Sequence, residues 1–208
     1  MLSSKICGIS DIVTLKYILS HNYPPKFVGM IMNYKRSRRY ITIEKAKELT
    51  NIQNDKVHYT AVLVKPTLNQ LEKLSKLPFD YYQLYEVSPK NTKIIKKKYN
   101  KKIITAITIK KAKDVKKYKD YQNISDIILF DSKGYEKSMS FDHVVLKNIP
   151  NSINRMLAGN IKYSEKLDKY SKVADIIDIS GGLETSGKKD LSKIDIFLKN
   201  INKFNNEN

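Results

Sequence analysis

The 208-residue chain has no tryptophan, one cysteine, seven glycines and six prolines. A single thiol excludes an internal disulfide framework, so a reducing compartment is expected. No run approaches the ~18 consecutive apolar residues that a membrane-spanning helix requires. The opening "MLSSKICGISDIV" has no basic segment followed by an apolar one, so a secretory leader is not expected and the cytoplasm is the expected location. No Pro/Gly/Ser-rich linker divides the chain, which reads as one domain over 1–208, with "FNNEN" (204–208) as a frayed tail.

Acidic residues are also scarce, 21 against 39 basic ones, for a formal charge of +18. Such a charge suits a polyanion partner. The lysines are nevertheless spread along the chain, as in "KIIKKKYNKK" and "KKAKDVKKYKD", and no homeodomain, zinc-finger or RNP-type signature accompanies them. A biased genome composition produces the same Lys, Asn, Ile and Tyr richness. Nucleic acid is therefore not the expected partner, and a positive field equally attracts a small phosphorylated substrate.

What the chain does have is rhythm. Apolar β-type runs occur at 4–8, 26–32, 57–64, 80–85, 102–108, 125–130, 153–158 and 174–180. Amphipathic stretches such as "DIVTLKYILSH", "TIEKAKELT", "TLNQLEKLSK" and "DLSKIDIFLKNI" lie between them. In the last, Leu191, Ile194, Phe197, Leu198 and Ile201 form one helical face. Thr67 with Gln70 three residues on, and Ser88 before Pro89, read as helix starts. Eight strand–helix units predict a single-domain (β/α)₈ barrel, with a doubly wound open sheet as the competing arrangement. The first strand-to-helix turn, "CGISD", lacks the glycine pattern of a dinucleotide site. The connection "DSKGYEKSMSFDHVV" is a candidate mobile loop.

In such a barrel the residues at the C-terminal strand ends face the active site. Two of them carry chemistry. Asp131 closes the column Ile127, Leu129, Asp131, where a half-buried carboxyl can act as a general acid; an ordinary solvent-facing or capping aspartate is the alternative. Cys7 ends the first strand as either a small buried hydrophobe or a base or nucleophile activated by nearby cations, Lys5 being the nearest on the same face. Gly159, Gly181 and Gly182 fall in the last two strand-end turns, where backbone N–H groups often hold phosphate. His21, His58 and His143 have no metal-ligand spacing, so no metal site is expected.

"KICGI", "SRRY" (37–40), "YQLY" (82–85), "FDSK" (130–133), "SFD" (140–142), "LAGN" (157–160) and "DISGGLETSGKKD" (178–190) occur in that order. Together they resemble the phosphoribosylanthranilate isomerase family over nearly the full chain. Its two specific parts are the N-terminal K-I-C-G and a C-terminal motif carried by Asp178, Ser180, Gly182, Glu184, Gly187, Lys189 and Asp190.

The resemblance implies a (β/α)₈ barrel catalysing an Amadori rearrangement in tryptophan biosynthesis, without cofactor or metal. Cys7 stands at the family's general base and Asp131 at its general acid. Arg39 stands where an arginine meets the anthranilate carboxylate, and Asp178 where an aspartate lines the pocket. Gly159, Asn160, Gly181 and Gly182, with Ser180 nearby, match the phosphate site. The family's usual "QLHG" is "QLYE" here, so Tyr85 and Glu86 replace histidine and glycine, and "AGG" is "AGN". Tyr85 and Asn160 favour a second reading, a related barrel isomerase acting on another phosphorylated sugar. The charge alone supports a third, a basic nucleic-acid-binding protein.

Overall fold

A computed structural model describes residues 1–132 and 142–208. Eight parallel strands pair in sequence order and close on themselves: β1 (Ser3–Cys7), β2 (Phe27–Ile31), β3 (His58–Val64), β4 (Tyr81–Tyr85), β5 (Lys102–Thr108), β6 (Ile127–Asp131), β7 (Arg155–Ala158) and β8 (Ile176–Ile179). Closure comes from β1 against β8, with Ser3 opposite Ile176 through to Ile6 opposite Ile179. The predicted barrel is therefore the observed fold, and the open-sheet alternative is excluded.

Period-2 alternation separates two cores. One set of strand residues, including Phe27, Val62, Tyr81, Ile104, Ile127, Leu129, Met156 and Ile176, fills the barrel interior. The other set, including Ile6, Val28, Leu63, Leu84, Ile103 and Phe130, packs outward against Leu15, Ile18, Leu49, Leu71, Leu74, Ile194 and Phe197 from the helices. Each large aliphatic side chain so buried contributes roughly 1.5–3 kcal/mol of transfer free energy.

Four helices follow the first four strands: α1 (Ile12–Ser20), α2 (Ile43–Thr50), α3 (Leu68–Ser75) and α4 (Pro89–Tyr99). Their starts are capped as the sequence predicts. Thr67 and Gln70 form a reciprocal capping box, and Ser88 accepts from the Asn91 N–H with Pro89 in the first turn. The later crossovers are thinner than eight equal units imply. After β5 comes a 3₁₀ helix, Ala112–Asp120, whose buried residues Val115 and Tyr118 are three apart. That spacing, amid six lysine neighbours in "KKAKDVKKYKD", gives a three-residue repeat rather than an amphipathic α face. A short 3₁₀ helix (His143–Leu146) precedes β7, and the four-residue α5 (Asp168–Ser171) precedes β8. The candidate mobile loop falls largely at 133–141, outside the described residues.

The expected frayed tail is corrected. α6 (Leu191–Glu207) continues to the penultimate residue. Asn205 accepts from the Leu2 N–H at 2.7 Å and donates to the Leu2 carbonyl at 2.9 Å. The side-chain amide thus satisfies both backbone groups of Leu2 beside β1, a long-range pairing that local composition does not reveal.

Candidate active site

A cavity of about 510 Å³ opens at the C-terminal end of the strands. Its wall includes all the residues singled out in the sequence: Cys7, Arg39, Asp131, Gly159, Asn160, Asp178, Ser180, Gly181 and Gly182. Seven of the eight strands contribute, because each inward column ends at this rim.

Asp131, the last residue of β6, sits 4% exposed above Ile127 and Leu129. Tyr85, at the end of β4, donates to its Oδ2 at 2.9 Å. Burial pushes the Asp131 carboxyl up; the Tyr85 hydrogen bond opposes that rise, the Asp178 charge adds to it and Lys5 opposes it, leaving the pKa at about 8. The group is therefore a neutral acid at pH 7.

Cys7 ends β1 in a different setting. Lys5, two residues below on the same face, donates to Asp178 Oδ2 at 2.9 Å, and it is also a charge and hydrogen-bond partner of the thiol. Burial works against the Lys5 charge, but Asp178 and then Cys7 outweigh it, so the ammonium persists. Burial likewise pushes the Cys7 thiol up, Lys5 and Lys189 pulling it down and Asp178 pushing it up again. Gly29 of β2 makes the arrangement possible. A β-carbon there would lie 3.0 Å from both Cys7 Sγ and Lys5 Nζ, so the missing side chain leaves the space these two groups share.

Glu184 organises the rim between β8 and the small ribbon β9 (Glu184–Thr185) and β10 (Lys188–Lys189). Arg39 binds it through both Nε and Nη2, Arg38 Nη2 reaches its Oε2 at 2.8 Å, and Lys189 reaches Oε1 at 3.0 Å. Although burial favours protonation, the Arg39 hydrogen bond and the Lys189 charge hold the Glu184 carboxyl at about 2. Lys189 also donates to the Ser180 carbonyl at 2.9 Å, and Ser180 Oγ donates to the Cys7 carbonyl at 3.0 Å. A fixed carboxylate thus positions the arginine fork expected to meet substrate.

The last two strand-end turns, where the sequence leads one to expect an anion site, both line the cavity. Gly159 has φ +111°, and a β-carbon there would fall 2.1 Å from Ser132 Oγ. Asn160 follows at φ 50°, in the left-handed region that asparagine tolerates. The substitution of Gly by Asn in "AGN" therefore keeps the turn. After β8, Gly181–Leu183 makes a single 3₁₀ turn against the Ile161 backbone.

Four contributors carried no assigned role in the sequence reading. Glu184 and Lys189 stood inside the C-terminal motif, so their presence was visible but their mutual contact was not. Gly29 and Gln83, whose amide donates to the Tyr85 hydroxyl, had no local signal; each matters only through what the barrel brings beside it.

A closed barrel whose mouth gathers a neutral carboxyl, a thiol beside a buried ammonium and an arginine fork is the framework of an enzyme that moves protons on a small anionic substrate. Residues 4–200 match the family model described as N-(5'phosphoribosyl)anthranilate (PRA) isomerase, and the chain belongs to that family. By family it is an aldose–ketose isomerase of tryptophan biosynthesis. It is 30% identical to the N-(5'-phosphoribosyl)anthranilate isomerase of Rhizobium johnstonii, covering 97% of this chain and 94% of that one. The Agrobacterium fabrum enzyme of the same name is 31% identical, over 95% and 94%. The fold is also that of the phosphoribosyl anthranilate isomerase from Thermotoga maritima, with a TM-score of 0.86, 24% identity, and 98% and 100% of the two chains covered. A further crystal structure of such an isomerase, in complex with reduced 1-(o-carboxyphenylamino)-1-deoxyribulose 5-phosphate, superposes with a TM-score of 0.84 at 23% identity, over 98% and 100%. Among the described residues no helix is long and apolar enough to cross a membrane.

Proposed function

We propose that this chain converts N-(5-phosphoribosyl)anthranilate to 1-(2-carboxyphenylamino)-1-deoxyribulose 5-phosphate with Asp131 as general acid and Cys7 as general base. The observation that carries the assignment is that both groups line one cavity in different company. Burial holds Asp131 protonated, while Cys7 stands beside the buried Lys5 ammonium, which opposes the rise that burial imposes on the thiol.

Asp131 gives its proton to the furanose ring oxygen as the C1–O bond breaks, and the anilino nitrogen supplies the electron pair that forms a protonated Schiff base. Cys7, as thiolate, then removes the C2 proton, and the C2–H electrons neutralise the iminium to give an enolamine. Tautomerisation moves the C2 hydroxyl proton to C1 and leaves the ketone. Burial favours the neutral thiol in the free site. The active form is the one whose thiol has already lost its proton to solvent, an ionisation that Lys5 and Lys189 favour and that the positive Schiff base then stabilises.

Arg39, oriented by Glu184, meets the anthranilate carboxylate with its remaining donor capacity. The phosphate lies on backbone N–H groups around Gly159, Asn160, Gly181 and Gly182, with Ser180 beside them. Asp178, whose Oδ1 is buried without a partner among the described residues, accepts from a sugar hydroxyl. A thiol base must stay reduced, which supports a cytoplasmic setting.

The second reading, another phosphorylated aminoaldose, rests on Tyr85 and Asn160. Asn160 preserves the turn and Tyr85 hydrogen-bonds the acid, so neither departure removes a group the anthranilate reaction uses, and Arg39 remains for the carboxylate. That favours the anthranilate substrate. Loss of the substrate's anthranilate fluorescence on mixing with purified protein, and rescue of a tryptophan auxotroph lacking this step, test the assignment. Silence in both, with turnover of a different aminoaldose phosphate, overturns it.

A further inference from the structure

Three polar groups on the inward columns of β4 and β6, strands that flank β5, are joined by two hydrogen bonds. Gln83 Nε2 donates to the Tyr85 hydroxyl at 3.2 Å, and that hydroxyl donates to Asp131 Oδ2 at 2.9 Å. Gln83 is 1%, Asp131 4% and Tyr85 5% exposed. A phenol has one proton, and an amide N–H directed at its oxygen leaves that proton for the carboxyl. A carboxyl accepting at Oδ2 then carries its own proton on Oδ1. Tyr85 remains a donor throughout the working range, because burial, then Asp131, Asp178 and Cys7, raise its pKa well above the usual phenol value.

We propose that Tyr85, held by Gln83, is the positioning residue for the acid step: it pins Asp131 Oδ2 so that Oδ1 delivers the proton. This rests on Asp131 being the acid. The chain differs here from the family's usual "QLHG", so the device belongs to this protein's own sequence and not to the general pattern.

Other groups also act on Asp131 and must be counted. Lys5 from β1 favours its anion and Asp178 from β8 disfavours it. From β5 and β7 its register partners are Thr108 and Ala158, neither of which titrates near neutral pH. Among the described residues Tyr85 thus acts on the carboxyl through a direct hydrogen bond, whereas Lys5 and Asp178 act through their charges.

The test compares Tyr85→Phe, Tyr85→His and 3-fluorotyrosine placed at position 85 with the wild type. Tyr85→Phe is expected to lower kcat about tenfold with KM within about twofold, the size expected for one lost hydrogen bond to a reacting group. Because the lost bond favoured the anion, the limb of the kcat profile that ends where Asp131 ionises moves to higher pH. 3-Fluorotyrosine, nearly isosteric and a stronger donor, moves the limb to lower pH, and it supplies the test if Tyr85→Phe does not fold. Tyr85→His, which can still donate, is expected to recover kcat relative to phenylalanine.

Infrared titration of the Asp131 carboxyl, taken as the difference from Asp131→Asn, reads the same shifts without turnover. If wild-type protein lacks isomerase activity but these carboxyl shifts occur, the function assignment fails and the positioning stands. If the limb and the carboxyl titration stay at wild-type values in both phenol variants, Tyr85 is packing alone and the proposal is overturned.

Discussion

Lys5 Nζ and Asp178 Oδ2 lie 2.9 Å apart with side-chain exposures of 0% and 5%, and the same ammonium stands beside the Cys7 thiol over the bare backbone of Gly29. A buried ion pair by itself gives little net stability, since both ions lose their hydration. On the proposed mechanism one partner of this pair also serves a third group, the Cys7 base.

Lys5→Met should therefore act twice. Leaving Asp178 charged and unpaired costs about 3–5 kcal/mol, read as a lower urea midpoint. The thiol loses its cation, so the pH at which Cys7 is alkylated by iodoacetamide moves upward. A Lys5→Met protein whose Cys7 alkylates with the wild-type pH dependence would show that Lys5 supports the fold only.

Cys7→Ser and Asp131→Asn should each lower kcat by at least about a hundredfold, the usual range for a removed acid or base. Circular dichroism should stay native for both. Near wild-type turnover in either variant removes the role assigned to that residue.

The pH dependence follows from the Asp131 value of about 8 against an ordinary 3.8. Between those limits the folded state binds the proton and the unfolded state does not. This group's contribution to stability therefore falls as pH rises from about 4 to about 8. Asp131→Asn lacks that term, so its stability should gain on the wild type across the window in urea titrations at stepped pH. In kinetics, because burial also pushes the Cys7 thiol up, the wild-type rate should rise with pH as the thiolate forms and stop rising above about pH 8, where Asp131 ionises. A rate that keeps rising about tenfold per pH unit through pH 9 contradicts the assignment.

Glu184 has the opposite sign. Its carboxyl is held at about 2 against an ordinary 4.5, so its contribution is present above pH 4.5 and is lost as pH falls through that interval. Glu184→Gln should flatten the acid side of the stability profile. It should also raise KM, since Arg39 loses its bidentate anchor, while Arg39→Ala raises KM about tenfold or more. An unchanged KM in both variants separates Arg39 from the substrate.

Gly29→Ala tests the shared space above β2. The added β-carbon meets Sγ and Nζ at 3.0 Å, so both must shift by a few tenths of an ångström. A fall in kcat of about three- to tenfold with KM little changed is expected, since small misplacements of reacting groups are costly. Wild-type kcat in a folded Gly29→Ala protein shows that the base tolerates displacement.

Much of this protein was legible from local sequence because the responsible physics is local. Strand periodicity put Ile127, Leu129 and Asp131 on one column, and capping chemistry fixed the starts at Thr67 and Ser88. The 3.6-residue repeat of Ile194, Phe197 and Ile201 foretold the buried face of α6. The eight-fold alternation was enough for a barrel, and a barrel places strand-end residues at one mouth whatever their identity.

The ionisation of the site was decided only by tertiary structure. Desolvation and charge act through space, so the neutral Asp131, the paired Lys5 and the buried anion at Glu184 depend on neighbours up to 173 residues away, as Lys5 is from Asp178. The thin fifth to seventh crossovers and the tied C-terminal helix were decided in the same way, by packing partners and by Asn205 on Leu2. Sequence determined which groups could reach the mouth. Closure of the barrel decided which of them hold a proton there.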